Sequence, residues 1–184
     1  MGDPKRQKRK YSRPYKRWDK SRIVEEKGIM RTYGLKNKKE LWRARSELRR
    51  IRANARSLLA ASGAEKERRE KELLGRLYRL GLLPKDGTLD DILSLDVRDI
   101  LERRLQTQVW RKGLARTVFQ ARQFIVHGHV YVDGVRVTVP SYWVKRGEED
   151  KITLDPEMLA VVQAPQHAPA VAEGEKKGGV NEGQ

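Results

Sequence analysis

Arg116, Gln120, Gln123 and His127 recur at intervals of four, three and four residues, the spacing that puts side chains on one face of an α-helix. All four can donate hydrogen bonds. Donors arrayed along one helix face suit the phosphate and 2′-hydroxyl oxygens of RNA. Arg122 projects near one edge of that face. Gly128 follows it, where a residue without a side chain lets the chain turn sharply and lets a nucleic-acid backbone come close. A second series, Arg45, Arg49, Arg52 and Arg56, repeats at the same intervals. Like charges so spaced repel one another on an isolated helix, so the series makes sense with a line of phosphates lying across it. A solvated helix face normally mixes acids with bases, and after Glu40 this stretch has only Glu47.

Regular elements must hold these donors in place. Val118, Ala121 and Ile125 mark the buried side of a short helix ending at Gly128. Val130–Val132 and Val135–Val137 then read as two short strands about a tight Asp133-Gly134 turn, with a further strand at Lys151–Leu154. Leu41, Ala44, Leu48, Ile51, Ala55 and Leu58 form the apolar seam of a helix that opens on an Asn37/Glu40 capping box and runs to about Ala61. A second capping box, Ser62 and Glu65, opens a helix through about Leu80, whose buried edge is Leu73, Leu74, Leu77 and Leu80. Gly81 and Pro84 stop it. Thr88 caps a short helix with Leu89, Ile92 and Leu93 inward. Val97, Ile100, Leu101, Leu105 and Val109 give one more helical face ending near Gly113. Arg103, Arg104, Arg111 and Lys112 on that element are placed to enclose the same groove as Arg116.

The chain has 184 residues, no Cys and a formal net charge of +16. The absence of Cys excludes a disulfide scaffold, a thiolate zinc site and Cys catalysis, and suits a reducing compartment. No apolar run is long enough to span a bilayer, and the basic N-terminus lacks the apolar stretch of a secretory signal. Residues 1–60 carry a net +15, leaving +1 for the rest. The remainder is itself divided, because Asp86–Glu102 holds six acids and one base whereas Arg103–Arg146 holds nine bases and one acid. Such sided electrostatics favours a nucleic-acid partner over an anionic membrane. Residues 1–22 hold ten bases with Tyr11, Tyr15 and Trp18 but no periodic apolar face. They read as an RNA-wrapping arm, disordered when free, with Arg6, Arg9, Arg13, Lys16 and Arg17 on phosphates.

Other chemistries find little support. His127 and His129 sit adjacent but one across a helix–strand junction without Cys or clustered carboxylates, which argues against a metal pair. Asp90, Asp91, Asp96 and Asp99 suit helix starts, where acids favour the dipole. There is no phosphate-cradling glycine loop and no Ser/His/Asp grouping in a recognisable context. The expectation is a protein without catalytic residues, metal or cofactor.

The stretch Arg116–Gly134, with Pro140-Ser141-Tyr142 and the later strand, resembles the S-four domain. This is a small RNA-binding module whose signature is a helix of the A-R-Q-x-I-x-H-G-H-V type followed by V-x-V-D/N-G. Upstream, Tyr11-Ser12-Arg13-Pro14, Trp18-Asp19, the run from Tyr33 to Trp42, and Ile51-Arg52-x-x-Ala55-Arg56 are similar to small-subunit ribosomal proteins of the S-four family, archaeal and eukaryotic type. The resemblance spans roughly residues 4–160. It implies a primary binder of small-subunit ribosomal RNA that helps nucleate assembly of the 5′ domain and contributes to translational accuracy. It also implies a place beside a protein of the S-five family, where messenger RNA enters, in the cytoplasmic ribosome. The Cys-ligated zinc of some bacterial members has no counterpart in this chain. An RNA-modifying enzyme carrying the same module would need a catalytic domain, and no block of sequence remains to supply one. A ribosome-biogenesis factor of the same family, in a small nucleolar ribonucleoprotein, stays open. The expected fold class is α+β, organised as a basic arm at 1–22, a helical RNA-binding region at 23–102, an S-four module at 103–160 and a disordered tail at 161–184.

Overall fold

The computed structural model describes residues 9–163, so Arg6 and the chain beyond Gln163 lie outside the described residues. Residues 9–19 form no helix or strand, in keeping with their aperiodic sequence. Helix α1 (Lys20–Thr32) follows, opened by Asp19, whose carboxylate accepts from the Ser21 backbone N–H. The hydrophobic pattern announces no helix here for a physical reason. Its buried positions are Glu26 and Ile29, and one of the two is a charge.

Helix α2 (Lys38–Leu59) buries the expected seam from Leu41 to Leu58. Its capping box does not form. Asn37 stands at the N-cap without a side-chain bond, and the Glu40 carboxylate is turned away from it to Arg104 and Arg122. Helix α3 (Ala64–Arg79) also lacks its expected box. It starts after Gly63 at φ 97° rather than at Ser62, and Glu65 pairs with Arg69 at 2.5 Å instead. Leu77 is the buried residue of α3, with Leu73 and Leu74 packed half-buried beside it.

Helix α4 (Leu89–Ser94) opens on a complete Thr88/Asp91 capping box. The single helix expected up to Gly113 is instead two, α5 (Val97–Glu102) and α6 (Leu105–Arg111). The chain is extended at Arg104, and its neighbours bond to a distant segment: Leu105 N–H to the Tyr142 carbonyl at 2.8 Å, and Val144 N–H to the Arg103 carbonyl at 2.9 Å. Tertiary pairing has overridden a continuous helical pattern.

Helix α7 (Val118–His127) ends at Gly128, which is left-handed at φ 82°. Strands β1 (Val130–Val132) and β2 (Val135–Arg136) turn about Asp133 and Gly134, both at positive φ, the geometry of a type I′ hairpin. Strand β3 (Ile152–Leu154) lies antiparallel on the other edge of β1, giving the order β2-β1-β3. Helix α8 (Pro156–Gln163) closes the described chain and was not expected from the sequence; Met158 and Leu159 pack it onto the sheet region. The fold is α+β. No helix among the described residues is long and apolar enough to cross a membrane.

Two apolar clusters result. The first runs from Ile29 to Leu101 and the second from Leu105 to Leu154. What joins them is largely polar.

Candidate nucleic-acid interface

The joint centres on Glu40 in the first turn of α2. Arg104 Nη2 donates to Glu40 Oε2 at 2.6 Å, and Arg122 on α7 donates to Oε1 at 2.9 Å. Arg122 also reaches the Gln106 side-chain carbonyl at 3.3 Å. The Gln106 amide in turn donates to the carbonyls of Gly34 (2.9 Å) and Val118 (3.1 Å). Burial pushes the Glu40 carboxyl up, but the hydrogen bonds from Arg122 and Arg104 outweigh it, so Glu40 titrates below the ordinary carboxylate range. Burial lowers the pKa of Arg104 against the pull of Glu40, yet an arginine remains protonated across the physiological range. At the far end of the joint, Arg146 stacks over the Tyr78 ring at 4.4 Å and donates to the Leu83 carbonyl at 3.1 Å.

Beside Glu40 the two regions enclose a groove of about 560 Å³. Lys10, Arg43, Arg50, Arg76, Arg104 and Arg122 line it with two acids, Glu40 and Glu47, and with Trp143. Glu47 pairs with Arg50. Lys10, Arg43 and Arg76 hold no ion pair among the described residues. A concave surface with uncommitted cations and few acids attracts a phosphate backbone. Sequence inspection missed Arg43, Arg50 and Arg76 because it followed one arginine series along α2. Arg43, Glu47 and Arg50 also recur at four and three on a different face, but the acid among them reads as a solvated face and hides the groove.

The expected series on α2 is divided by the fold. Arg45 binds Glu26 at 2.8 Å and Glu25 at 3.4 Å, while Arg52 donates to the Leu95 carbonyl. Arg49 reaches the Ser12 hydroxyl at 3.0 Å, and Arg56 is exposed and unpaired among the described residues. Three of the four therefore hold α2 to neighbouring segments, Arg49 through the exposed Ser12 hydroxyl. In the arm, Arg9 donates to the Tyr11 carbonyl at 2.8 Å, whereas Arg13, Lys16 and Arg17 are exposed.

The second basic block is likewise engaged. Arg103 bonds Glu149 at 2.5 Å and the Val144 carbonyl at 2.9 Å. Arg111 pairs with Glu102 at 2.8 Å, and Lys112 with Asp150 at 3.5 Å. Arg104 is 5% exposed and held by Glu40, so its guanidinium is not open to direct contact. Arg116 lies before α7 and its Thr117 N-cap, so it does not share the helix face expected of it; its Nε donates to the Val162 carbonyl of α8 at 2.9 Å, and Gln120 accepts from its backbone N–H at 2.8 Å. Gln123 and His127 remain exposed on the outer face with Phe119 and Val126. The approach expected over Gly128 is not open. The Arg136 guanidinium occupies the space where a Cβ would stand and donates to the His127 carbonyl at 2.9 Å.

Comparison with known proteins adds independent information. A family model described as "Ribosomal protein S4/S9 N-terminal domain" matches residues 4–102, and one described as "S4 domain" matches residues 103–150. The chain is 52% identical over 156 residues to a protein of Ignicoccus hospitalis named "Small ribosomal subunit protein uS4", covering 85% of this chain and 94% of that one. Proteins of the same name from Sulfurisphaera tokodaii and Metallosphaera sedula are 53% and 54% identical over 157 residues, covering 85% of this chain and 89% and 87% of theirs.

Proposed function

Because this chain belongs to the uS4 family of small ribosomal subunit proteins, we propose that it is a structural constituent of that subunit and binds its ribosomal RNA. The observation that carries the RNA contact is the groove between the helical region and the S4 domain, where six cations face two acids. Both regions contribute to it, so a folded RNA is gripped by two surfaces whose relative position is held by Glu40. Arg49, Arg56, Arg13, Lys16 and Arg17 extend the basic surface along α2 and the arm, while Gln123 and His127 offer donors on the outer face of α7. The arrangement supports a binding role with no catalytic step.

Within this reading the protein binds early to the 5′ domain of the small-subunit RNA and nucleates assembly there. Its further roles are translational accuracy, contact with a protein of the S-five family, and proximity to messenger RNA where it enters. The helical region spans 23–102 and the RNA-binding module 103–160. The test is sedimentation of the tagged chain from its native cell. Co-migration with mature small subunits supports the reading. Migration only with precursor particles favours the biogenesis-factor alternative.

A further inference from the structure

A second cavity lies away from the groove, at the foot of α2, and its walls are aromatic. It measures about 350 Å³ and is lined by Tyr11, Trp18 and Trp42 together with Arg13, Arg17 and Lys39. That volume is at the small end of ordinary ligand pockets. Trp42 is fixed. Its indole N–H donates to the buried Glu26 carboxylate at 3.2 Å, and its ring lies 6.1 Å from that of Tyr11 with 31° between the planes. Trp18 is 90% exposed, an unusual cost for the largest apolar side chain. No acid lines the cavity. Arg13, Arg17 and Lys39 have no side-chain partner among the described residues.

The first turn of α2 opens on the same place. Lys38 and Lys39 begin the helix, and the Asn37 side chain does not cap their N–H groups. Lys38 pairs with Glu26 at 3.7 Å and Glu40 in the same turn faces Arg104 and Arg122, so Lys39, with Arg13 and Arg17 beside it, is the cation left to favour an anion here. Aromatic faces beside it favour a flat π-system. A cationic ligand is disfavoured by the lack of any carboxylate in the wall. One ligand chemistry combines an anion with an exposed planar ring: a nucleotide whose base is out of the stack.

We propose that Tyr11, Trp18 and Trp42 form a subsite for one unstacked RNA base, with its adjoining phosphate on Arg13, Arg17 and Lys39. This rests on the RNA-binding function given above and adds to it a preference for unpaired over duplex RNA. Trp18 supplies the open stacking face, and Tyr11 and Trp42 supply the fixed edge of the slot. Glu26 keeps the slot rigid from behind by holding Arg22 and Arg45 at 2.8 Å as well as Trp42.

The experiment uses the full chain with three probes: single-stranded tetrauridylate, a base-free ribose-phosphate tetramer and a blunt RNA duplex. Tetrauridylate is expected to quench the tryptophan fluorescence and to bind at least tenfold more tightly than the base-free tetramer. Trp18→Ala is expected to weaken tetrauridylate binding by about 5- to 150-fold, the range for losing one base–aromatic stack, and to leave duplex binding unchanged. Trp18→Phe is expected to restore most of the loss. Equal binding of the tetramers with and without bases, or an equal loss for tetrauridylate and duplex, would overturn the proposal in favour of charge alone. A chain that binds small-subunit RNA fully but ignores tetrauridylate overturns the subsite and leaves the functional reading intact. A chain that binds no small-subunit RNA overturns both.

Discussion

Glu40 and Arg122 stand 82 positions apart in the chain, and their side chains meet at 2.9 Å. The same carboxylate holds Arg104 at 2.6 Å, so one acid pairs with two cations from the other half of the molecule. Removing that acid leaves Arg104 buried without a counter-charge. Glu40→Gln is therefore expected to cost about 3–5 kcal/mol of stability. Arg122→Gln is expected to cost only about 1–2 kcal/mol, because Arg104 still satisfies Glu40. Urea denaturation of both variants and of the double variant measures this, with strong non-additivity expected from the shared group.

Acid sensitivity follows from the same carboxylate. Its pKa is lower in the folded protein than in the unfolded chain, so its contribution is complete above the ordinary carboxylate range. That contribution is lost as pH falls through the depressed folded value. Melting temperature should drop more steeply with acidification in the wild-type chain than in Glu40→Gln. Parallel slopes would assign the acid sensitivity to other groups.

Gly34 is one of the close backbone approaches at the joint. It is left-handed at φ 57°, and a Cβ there would lie 2.7 Å from Val118 Cγ1 and 2.8 Å from Gln106 Nε2. Gly34→Ala should cost about 2–4 kcal/mol from left-handed strain and overpacking together. Calorimetry checks it, with Gly63→Ala as a control at positive φ that meets no neighbouring atom.

For the groove, the expected readout is salt dependence. Arg43→Gln and Arg76→Gln should each lower the slope of log K against log salt for small-subunit RNA by roughly 0.7–0.9, with the melting temperature unchanged. Arg45→Gln should do the reverse, reducing stability through Glu26 while changing the slope little. Filter-binding titrations at several salt concentrations separate the two.

On α7, the inner and outer faces should respond differently. Ile125 is fully buried, and Ile125→Ala is expected to destabilise the module by about 2–5 kcal/mol. Gln123→Ala, at an exposed position, should leave the melting curve unchanged and weaken RNA binding. A destabilised Gln123→Ala protein would mean the faces are assigned wrongly.

Hydrophobic periodicity made most helices legible, since the seam from Leu41 to Leu58 and the triplet Val118, Ala121 and Ile125 are buried as spaced. Helix α1 was illegible because its inward residue is Glu26, whose burial is made tolerable by Arg22, Arg45 and Trp42. The break between α5 and α6 was illegible because its cause lies forty residues downstream, in the segment that bonds Arg103 and Leu105. The arginine series pointed to anions, but spacing could not tell which arginines meet carboxylates of their own chain. Arg45, Arg104 and Arg122 do, through acids from α1 and α2.

The two apolar clusters are consecutive as well as separate: Ile29–Leu101, then Leu105–Leu154. Every fully buried member of the first lies at or before Leu101, with Trp143 the one partly buried residue from the later half packed against it. Vectorial folding during translation can therefore close the first cluster before the second exists. Arg122 emerges later, and adds its bond to Glu40 once the second half has been made. Pulsed hydrogen exchange on the refolding chain should protect amides of α2 before those of α7, giving the protein a temporal order written along its length.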